Sequence, residues 1–343
     1  MDKYIRKSDY LQVVYTGLTA YRNDVTIYMY LYLKSFLLYK GGIYMKKRKY
    51  NVMLLILLAV VCLFLRFYEI RKSTPVASIT VDEMTPLSLE LIYQGEKPQG
   101  VGSVQSMAIT DDYFIIAGRP VGSSSEGGEE NNKLIVIDRD DLLDVTASFL
   151  DSNETFELGH ANGMTYNPNS DELAVVGIRN EDGFCDGVCY VDAKDFKTRS
   201  TMKLPCDGNG IAYDDLRNRY YLRDGGCYYV LDSQLSEVIE SGPAITDLTN
   251  QDISYYNDKI YFVNWAYHLE DAIAVGILTN QNVIYQLDLK DDTMRAFVVR
   301  KPRMEMESID FKDGVAYVLF NGGGTKNGSY FIYRAQFASS DLE

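Results

Sequence analysis

The chain has 343 residues, a net charge of −14, two histidines, five cysteines and 28 tyrosines. Residues 1–72 hold 13 Lys/Arg against 4 Asp/Glu, so the rest of the chain carries −23. A domain that acidic is repelled by nucleic acid and by anionic lipid, which excludes both as partners of its surface.

In chain order, residues 1–44 show no period, and the run at 27–38 is too short and interrupted to span a membrane. Lys40-Gly41-Gly42 can be encoded by a purine-rich tract of ribosome-binding type, a short gap before Met45. We therefore expect translation to start at Met45, with 1–44 as an upstream extension; the alternative is a cytoplasmic tail. Lys46-Lys47-Arg48-Lys49 then precedes an unbroken apolar run at 52–65, the order of an export signal. Arg66 can snorkel, and Phe67 and Tyr68 suit the interface, which lengthens the run towards a span. No small-x-small cleavage site follows. Cys62 comes after Val61 rather than the small residue of a lipoprotein signal, so it reads as a packing cysteine. The expectation is one N-terminal transmembrane (signal-anchor) helix within 45–72, uncleaved, with the basic end cytoplasmic. The remainder then lies on the extracellular side of a single-pass membrane protein.

Residues 73–86 read as a linker with two prolines. Residues 87–94 (Leu-Ser-Leu-Glu-Leu-Ile-Tyr-Gln) alternate as a strand. Beyond residue 100 one pattern recurs: an opening pentapeptide, a polar turn, a second strand, a loop and a third strand. The openings are Gln105-Ser106-Met107-Ala108-Ile109, Asn162-Gly163-Met164-Thr165-Tyr166, Asn209-Gly210-Ile211-Ala212-Tyr213, Gln251-Asp252-Ile253-Ser254-Tyr255 and Glu307-Ser308-Ile309-Asp310-Phe311. Second strands are expected at 113–117, 173–176, 220–223, 260–264 and 315–320. Third strands are expected at 133–138, 188–192, 228–232, 283–288 and 330–334. Four of the third strands end in aspartate: Asp138, Asp192, Asp232 and Asp288. Repeats of about 40–50 residues, each a small antiparallel sheet, predict a β-propeller, because one such sheet cannot bury both faces alone. The all-β fold expected is a five-bladed propeller over 87–340; a sandwich of many short strands is the competing architecture. The fifth repeat lacks an outer strand, and 87–94 is expected to supply it, closing the ring without leaving an edge.

The loops leading into the inner strands, and those joining second to third strands, are expected on one face, where propeller mouths form pockets. They carry both histidines, His160 and His268, and the single tryptophan, Trp265. They also carry Asn162, Asp207, Asn209, Gln251, Asp252, Glu305 and Glu307. These ten are the candidate ligand-binding residues. His160 is otherwise a loop hydrogen-bonder, and Asn162 and Asn209 before glycine are otherwise turn residues. Glu305 and Glu307 alternate on a strand, so one of them should face the channel. The glycines at 322–324 precede a strand and lack a following Lys-Ser/Thr, which rules out phosphate cradling. No His-Glu-x-x-His, Gly-x-Ser-x-Gly or zinc spacing occurs. For an exported domain, Cys185, Cys189, Cys206 and Cys227 imply disulfides. Of the three pairings, Cys206–Cys227 and Cys185–Cys189 are expected, each within one blade.

Asn162-Gly163-Met164 and Asn209-Gly210-Ile211-Ala212-Tyr213 resemble the Asn-Gly-apolar openings of the SMP-30/gluconolactonase propellers, which have six blades where five repeats are present here. That resemblance implies a divalent cation, calcium outside the cell, in a ring of Asn162, Asn209, Asp252 and Glu307. Asp252-Ile253-Ser254-Tyr255, followed by Ile260-Tyr261 and Trp265, is similar over one blade to the plant-type glutaminyl cyclases, secreted five-bladed propellers. There Asp252 and Trp265 would be the positions of interest. The expected function is a ligand-binding or scaffold module at the cell envelope for a small molecule, peptide or protein. The alternative is a propeller hydrolase or glutaminyl-cyclase-like enzyme acting at the channel mouth. Convergence of titratable acids at the mouth would distinguish the two.

Overall fold

The computed structural model describes residues 84–120, 131–140, 148–149, 156–157, 160–178, 186–242, 249–266, 281–299, 304–322 and 328–342. Two strands, β1 (Thr85–Pro86) and β2 (Ser88–Glu96), precede the blades. The first blade comprises β3 (Val101–Ile109), β4 (Tyr113–Pro120), β5 (Asn131–Asp138) and β6 (Ser148–Phe149), with β7 (Phe156–Glu157) also paired to β5. The second holds β8 (Gly163–Asn167), β9 (Glu172–Ile178), β10 (Gly187–Asp192) and β11 (Thr198–Lys203). The third holds β12 (Gly210–Asp214), β13 (Arg219–Asp224), β14 (Cys227–Leu231) and β15 (Val238–Ser241). The fourth holds β16 (Thr249–Tyr256), β17 (Lys259–Ala266), β18 (Gln281–Asp288) and β19 (Met294–Val299). The fifth holds β20 (Met304–Lys312), β21 (Val315–Gly322) and β22 (Ser329–Gln336), followed by a short helix α1 (Ser339–Leu342).

Every repeat is therefore one antiparallel sheet, and the propeller displaces the sandwich. The second strands read as unbroken apolar runs because both faces of each blade are buried. In β4, Ile115 and Ala117 pack towards the second blade, while Phe114 and Ile116 pack towards the fifth. The same alternation recurs, and the five apolar clusters each fill one gap between neighbouring blades. Hydrogen bonds close all five seams of the inner ring. Ser106 Oγ donates to Ala161 O, Thr165 Oγ1 accepts from Tyr213 N, and Asp252 Oδ1 accepts from Ile211 N. Ser254 Oγ donates to Asp310 Oδ1, and Asp310 Oδ2 accepts from Ile109 N.

The closing strand is where the alternation at 87–94 places it: β2 pairs antiparallel with β22, from Ser88 opposite Gln336 to Glu96 opposite Ser329. The linker ends earlier than expected, since Thr85 and Pro86 add a short parallel strand to β19. The terminal aspartates have a local reason. Asp138, Asp192, Asp232 and Asp288 each accept the backbone N–H of a residue two to four positions on, forming Asx-type turns.

Two expectations about the chain need correction or lie elsewhere. Cys189, Cys206 and Cys227 are free thiols, so neither Cys206–Cys227 nor Cys185–Cys189 is formed. Cys189 lies on the middle of β10, buried among the apolar side chains between the first and second blades and donating to Thr198 Oγ1. There it packs as a small hydrophobe. Cys185 lies outside the described residues, as do His268 and the expected anchor at 45–72. Among the described residues no helix is long and apolar enough to cross a membrane.

Candidate functional site

Along the inner strands, two layers of mostly small side chains face the neighbouring blades close to the axis. One holds Ser106, Gly163, Gly210, Asp252 and Ser308; the next holds Ala108, Thr165, Ala212, Ser254 and Asp310. Small residues let the five strands converge: a Cβ on Gly163 would come within 2.5 Å of Gly210 Cα. Each layer carries one carboxyl. Asp252, 1% exposed, accepts from Ile253 N at 2.8 Å and Ile211 N at 3.4 Å and is bonded to Ser308 Oγ at 2.8 Å. Burial holds it well above the usual carboxylate range against those hydrogen bonds. Asp310 keeps some solvent exposure, but the packing around its carboxyl, opposed by bonds from Phe311 N, Ile109 N and Ser254, pushes it up to about 7.

Above these layers lies the mouth ring: Gln105, Asn162, Asn209, Gln251 and Glu307. In three of the five blades a β-bulge falls at this level, inserting Gln105 between Val104 and Ser106, an extra residue at Gln251–Asp252, and Glu307 between Met306 and Ser308. Bulges break the two-residue alternation and re-aim side chains. Glu305 and Glu307, two apart, would share a face on a regular strand; the bulge at Glu307 breaks that equivalence, yet both turn into the protein, where one was expected to face the channel. Glu307 is 1% exposed. Burial, then the neighbouring Glu305, raises it well above the usual range, opposed by Asn321, Lys97 and Arg119. Glu305 accepts a short hydrogen bond from Gln251 Nε2, and burial pushes it up to about 7 despite Gln251 and Lys97. Its backbone is clamped on both sides by Asn282, which donates to Met304 O at 3.0 Å and accepts from Met306 N at 2.9 Å.

Two cations face this pair. Lys97, just past the closing strand, donates to Gly102 O at 3.1 Å and Gly322 O at 3.4 Å; burial lowers its pKa against the pull of Glu307 and Glu305. Arg119, at the end of β4, reaches His160 Nε2 at 3.1 Å. A guanidinium only donates, so His160 accepts there as the neutral Nδ1–H tautomer. The turn from His160 into β8 passes through Ala161 in the left-handed region at φ 51.

Among the described residues, three buried carboxyl or amide oxygens at this end have no hydrogen-bond partner: Glu307 Oε1, Asn162 Oδ1 and Asn321 Oδ1. The other two members of the calcium ring implied by resemblance are already engaged, Asn209 Oδ1 by Asn250 Nδ2 at 2.9 Å and Asp252 by the bonds above. Among the described residues no three His, Cys, Asp or Glu side chains converge as a metal cluster. Asp207 is half-buried in the loop before β12 beside Cys206, whose thiol it helps to push up to about 11, after burial and Asp224. Trp265 is half-buried near the mouth end of β17, opposite Asn282. Sequence reasoning missed Lys97, Arg119, Asn250 and Asn282. Arg119, Asn250 and Asn282 lie in loops expected on the mouth face, at 118–132, 247–252 and 265–282, without being singled out there, whereas ring closure alone delivers Lys97. Asn321 was visible only as the start of a glycine loop.

No family model and no curated protein matches the chain. Solved structures with a similar outline include a GH43_1 enzyme from Xanthomonas citri complexed with xylose, at 10% identity and TM-score 0.48, covering 74% of this chain and 92% of that one. A luciferin-regenerating enzyme aligns at 11% identity and TM-score 0.43, covering 74% and 96%. Hydrazine synthase from Kuenenia stuttgartiensis aligns at 12% identity and TM-score 0.36, covering 65% and 57%. Likeness at this level assigns neither a substrate nor site residues to this chain.

Proposed function

We propose that this protein is a ligand-binding propeller displayed on the outer side of the cell membrane by the apolar run at 52–65, with its binding site at the channel mouth. One observation carries the reading. Glu307 Oε1, Asn162 Oδ1 and Asn321 Oδ1 are buried at or beside the mouth ring, and none of the described residues gives them a donor. Buried acceptors left unpaired cost about 1–3 kcal/mol each, a cost a ligand or ordered water removes. Hydrogen exchange of the full chain, with and without a soluble extract of the cell envelope, tests the site without naming its ligand. Protection confined to the mouth segments 97–106, 160–163 and 304–308 is the expected outcome; protection elsewhere, or none, removes the mouth as the binding site.

The enzymatic reading has a specific support of its own. Burial pushes Glu305 up to about 7 and raises the neighbouring Glu307 well above the usual carboxylate range, which suits the pair to general base and general acid work. Under that reading Lys97 and Arg119 would steady developing negative charge. A hydrolytic or cyclising activity lost in Glu305→Gln with binding retained would favour it over the plain binding module.

A further inference from the structure

The balance of groups at the mouth says what kind of ligand it suits, on the reading that the mouth is the binding site. Two carboxyl groups, Glu305 and Glu307, and two basic groups, Lys97 and Arg119, face one another at the mouth, and burial favours the neutral form of both carboxyls and of Lys97. A cationic ligand would sit against Lys97 and Arg119. An anionic one would sit against Glu305 and the three unpaired acceptor oxygens. Neither charge is compensated there, and burying an uncompensated charge is costly.

The unpaired groups ask for both halves of a hydrogen bond. Three acceptors, on Glu307, Asn162 and Asn321, need donors. Lys97 has three N–H groups and gives two of them to Gly102 O and Gly322 O, leaving one to be accepted. A hydroxyl group is the neutral function that donates and accepts at once. More than one is needed, because Asn162 belongs to the second blade and Glu307 and Asn321 to the fifth, with the first blade between them. Water can fill such a site in the same pairing. A polyol replaces several waters with one molecule and keeps their hydrogen bonds.

We infer that the mouth binds a neutral polyhydroxylated ligand, of the saccharide class, held between Asn162 on one side and Glu307, Asn321 and Lys97 on the other. This places Asn162 and Asn321 as specificity-determining residues. It also assigns Gln251 and Asn282 the task of holding Glu305 so that the Glu305–Glu307 pair faces the ligand.

Thermal shift and calorimetric titration test this on the full chain in a zwitterionic, sugar-free detergent. The neutral probes are maltose, cellobiose, N,N′-diacetylchitobiose and myo-inositol; the charged comparators are spermidine, citrate and calcium chloride. At least one neutral probe is expected to raise the melting temperature, with its affinity falling about tenfold or more in Asn162→Ala and in Glu307→Gln. Asn162→Asp, which keeps the acceptor oxygen, is expected to retain binding. If Glu307→Gln does not fold, the Asn162 pair carries the comparison alone. Binding of a neutral probe that is unchanged in Asn162→Ala overturns the inference, and so does the absence of any shift with neutral probes, the outcome for a mouth that holds only water. A shift produced by calcium, spermidine or citrate and lost in Asn162→Ala also overturns it, while leaving the mouth as the binding site. Failure of the mouth reading itself would show separately, as exchange protection away from 97–106, 160–163 and 304–308.

Discussion

Glu305, Glu307, Asp252 and Asp310 set the response of the protein to pH. Each holds its proton more tightly in the fold than in the unfolded chain, because burial penalises the charged form, and for Glu305 and Asp310 the folded value is about 7. An unfolded carboxyl titrates near 4. The folded state therefore binds more protons than the unfolded one between about pH 4 and 7. Their contribution is complete below that window and is lost as pH rises through it. Asp192 acts in the opposite sense: hydrogen bonds from Lys194 N, Asp195 N and Arg199 bring it down to about 2, so its contribution is lost as pH falls from about 4 towards that value. Melting temperature is accordingly expected to peak near pH 4 and to fall between about pH 4 and 7. Glu305→Gln should flatten that fall, and differential scanning calorimetry across the range checks it. An unchanged slope in the variant would mean that Glu305 does not titrate in the window.

Between blades, the inner strands interlock through backbone rather than side chains. A Cβ on Gly163 would stand 2.5 Å from Gly210 Cα and 2.7 Å from Ile211 N, and neither strand can retreat without opening the ring. Gly225, in the β13–β14 hairpin, is different: φ is +55 and nothing lies within 4 Å of an added Cβ. Gly225→Ala should therefore cost only the left-handed penalty of about 1–2 kcal/mol. Gly163→Ala should cost more, about 3 kcal/mol or beyond, as overpacking against backbone. Urea midpoints of the two variants make the comparison, and equal midpoints would mean that the ring gives way more easily than its packing implies. Arg223 locks the next seam. It is fully buried and donates to Asp252 O at 3.1 Å, Val263 O at 2.6 Å and Asn264 Oδ1 at 2.5 Å. Burial lowers its pKa to about 9 against the pull of Asp252. Its bond to Asp252 O holds the fourth-blade bulge in place, and with it the Gln251 amide that reaches Glu305.

At the scale of the molecule, the ring is closed by chain segments from both ends. β2 completes the fifth blade and β1 extends the fourth. From the other end, Gln286 Nε2 donates to Asp341 O at 2.7 Å, Asn257 Nδ2 donates to Leu342 O at 2.7 Å, and Arg295 pairs with Asp341 at 2.6 Å. Between them Phe337 packs on Phe297 and Tyr261. Without β1 and β2, β19 and β22 would become open edges, and Leu87, Ile92 and Tyr93 would leave the apolar clusters they join. A chain beginning at residue 98 is therefore expected to lose cooperative unfolding and to associate, and the propeller of the full chain to melt in one transition. Calorimetry with size-exclusion chromatography distinguishes the outcomes, and a monomeric, cooperatively melting truncation would show that closure is dispensable. The truncation also removes Lys97 from the mouth, so closure of the ring and completion of the site are one event.

The architecture was legible in the sequence because it is built from local rules. Period-two alternation marks strands, buried second strands read as continuous apolar runs, and aspartate at the end of four of the five third strands anchors an Asx-type turn. Even the non-covalent closure could be read, since 87–94 alternates and the fifth repeat is one strand short. The mouth was only partly legible. Asn162, Gln251, Asp252, Glu305 and Glu307 stood out in their loops, but their roles diverged: Asp252 sank into the axis, and Asn209 spent its oxygen on Asn250. Bulges at Gln105, Gln251–Asp252 and Glu307 leave no sequence mark, and they decide which side chains turn inward. Cys206 and Cys227 share a blade, but nearness along the chain does not bring two thiols into bonding geometry. Lys97, Arg119 and Asn321 reach the same carboxyl from three separate strands or strand ends. Local pattern determines each blade, whereas ring closure sets side by side residues some two hundred positions apart, and only the tertiary structure could decide what the mouth contains.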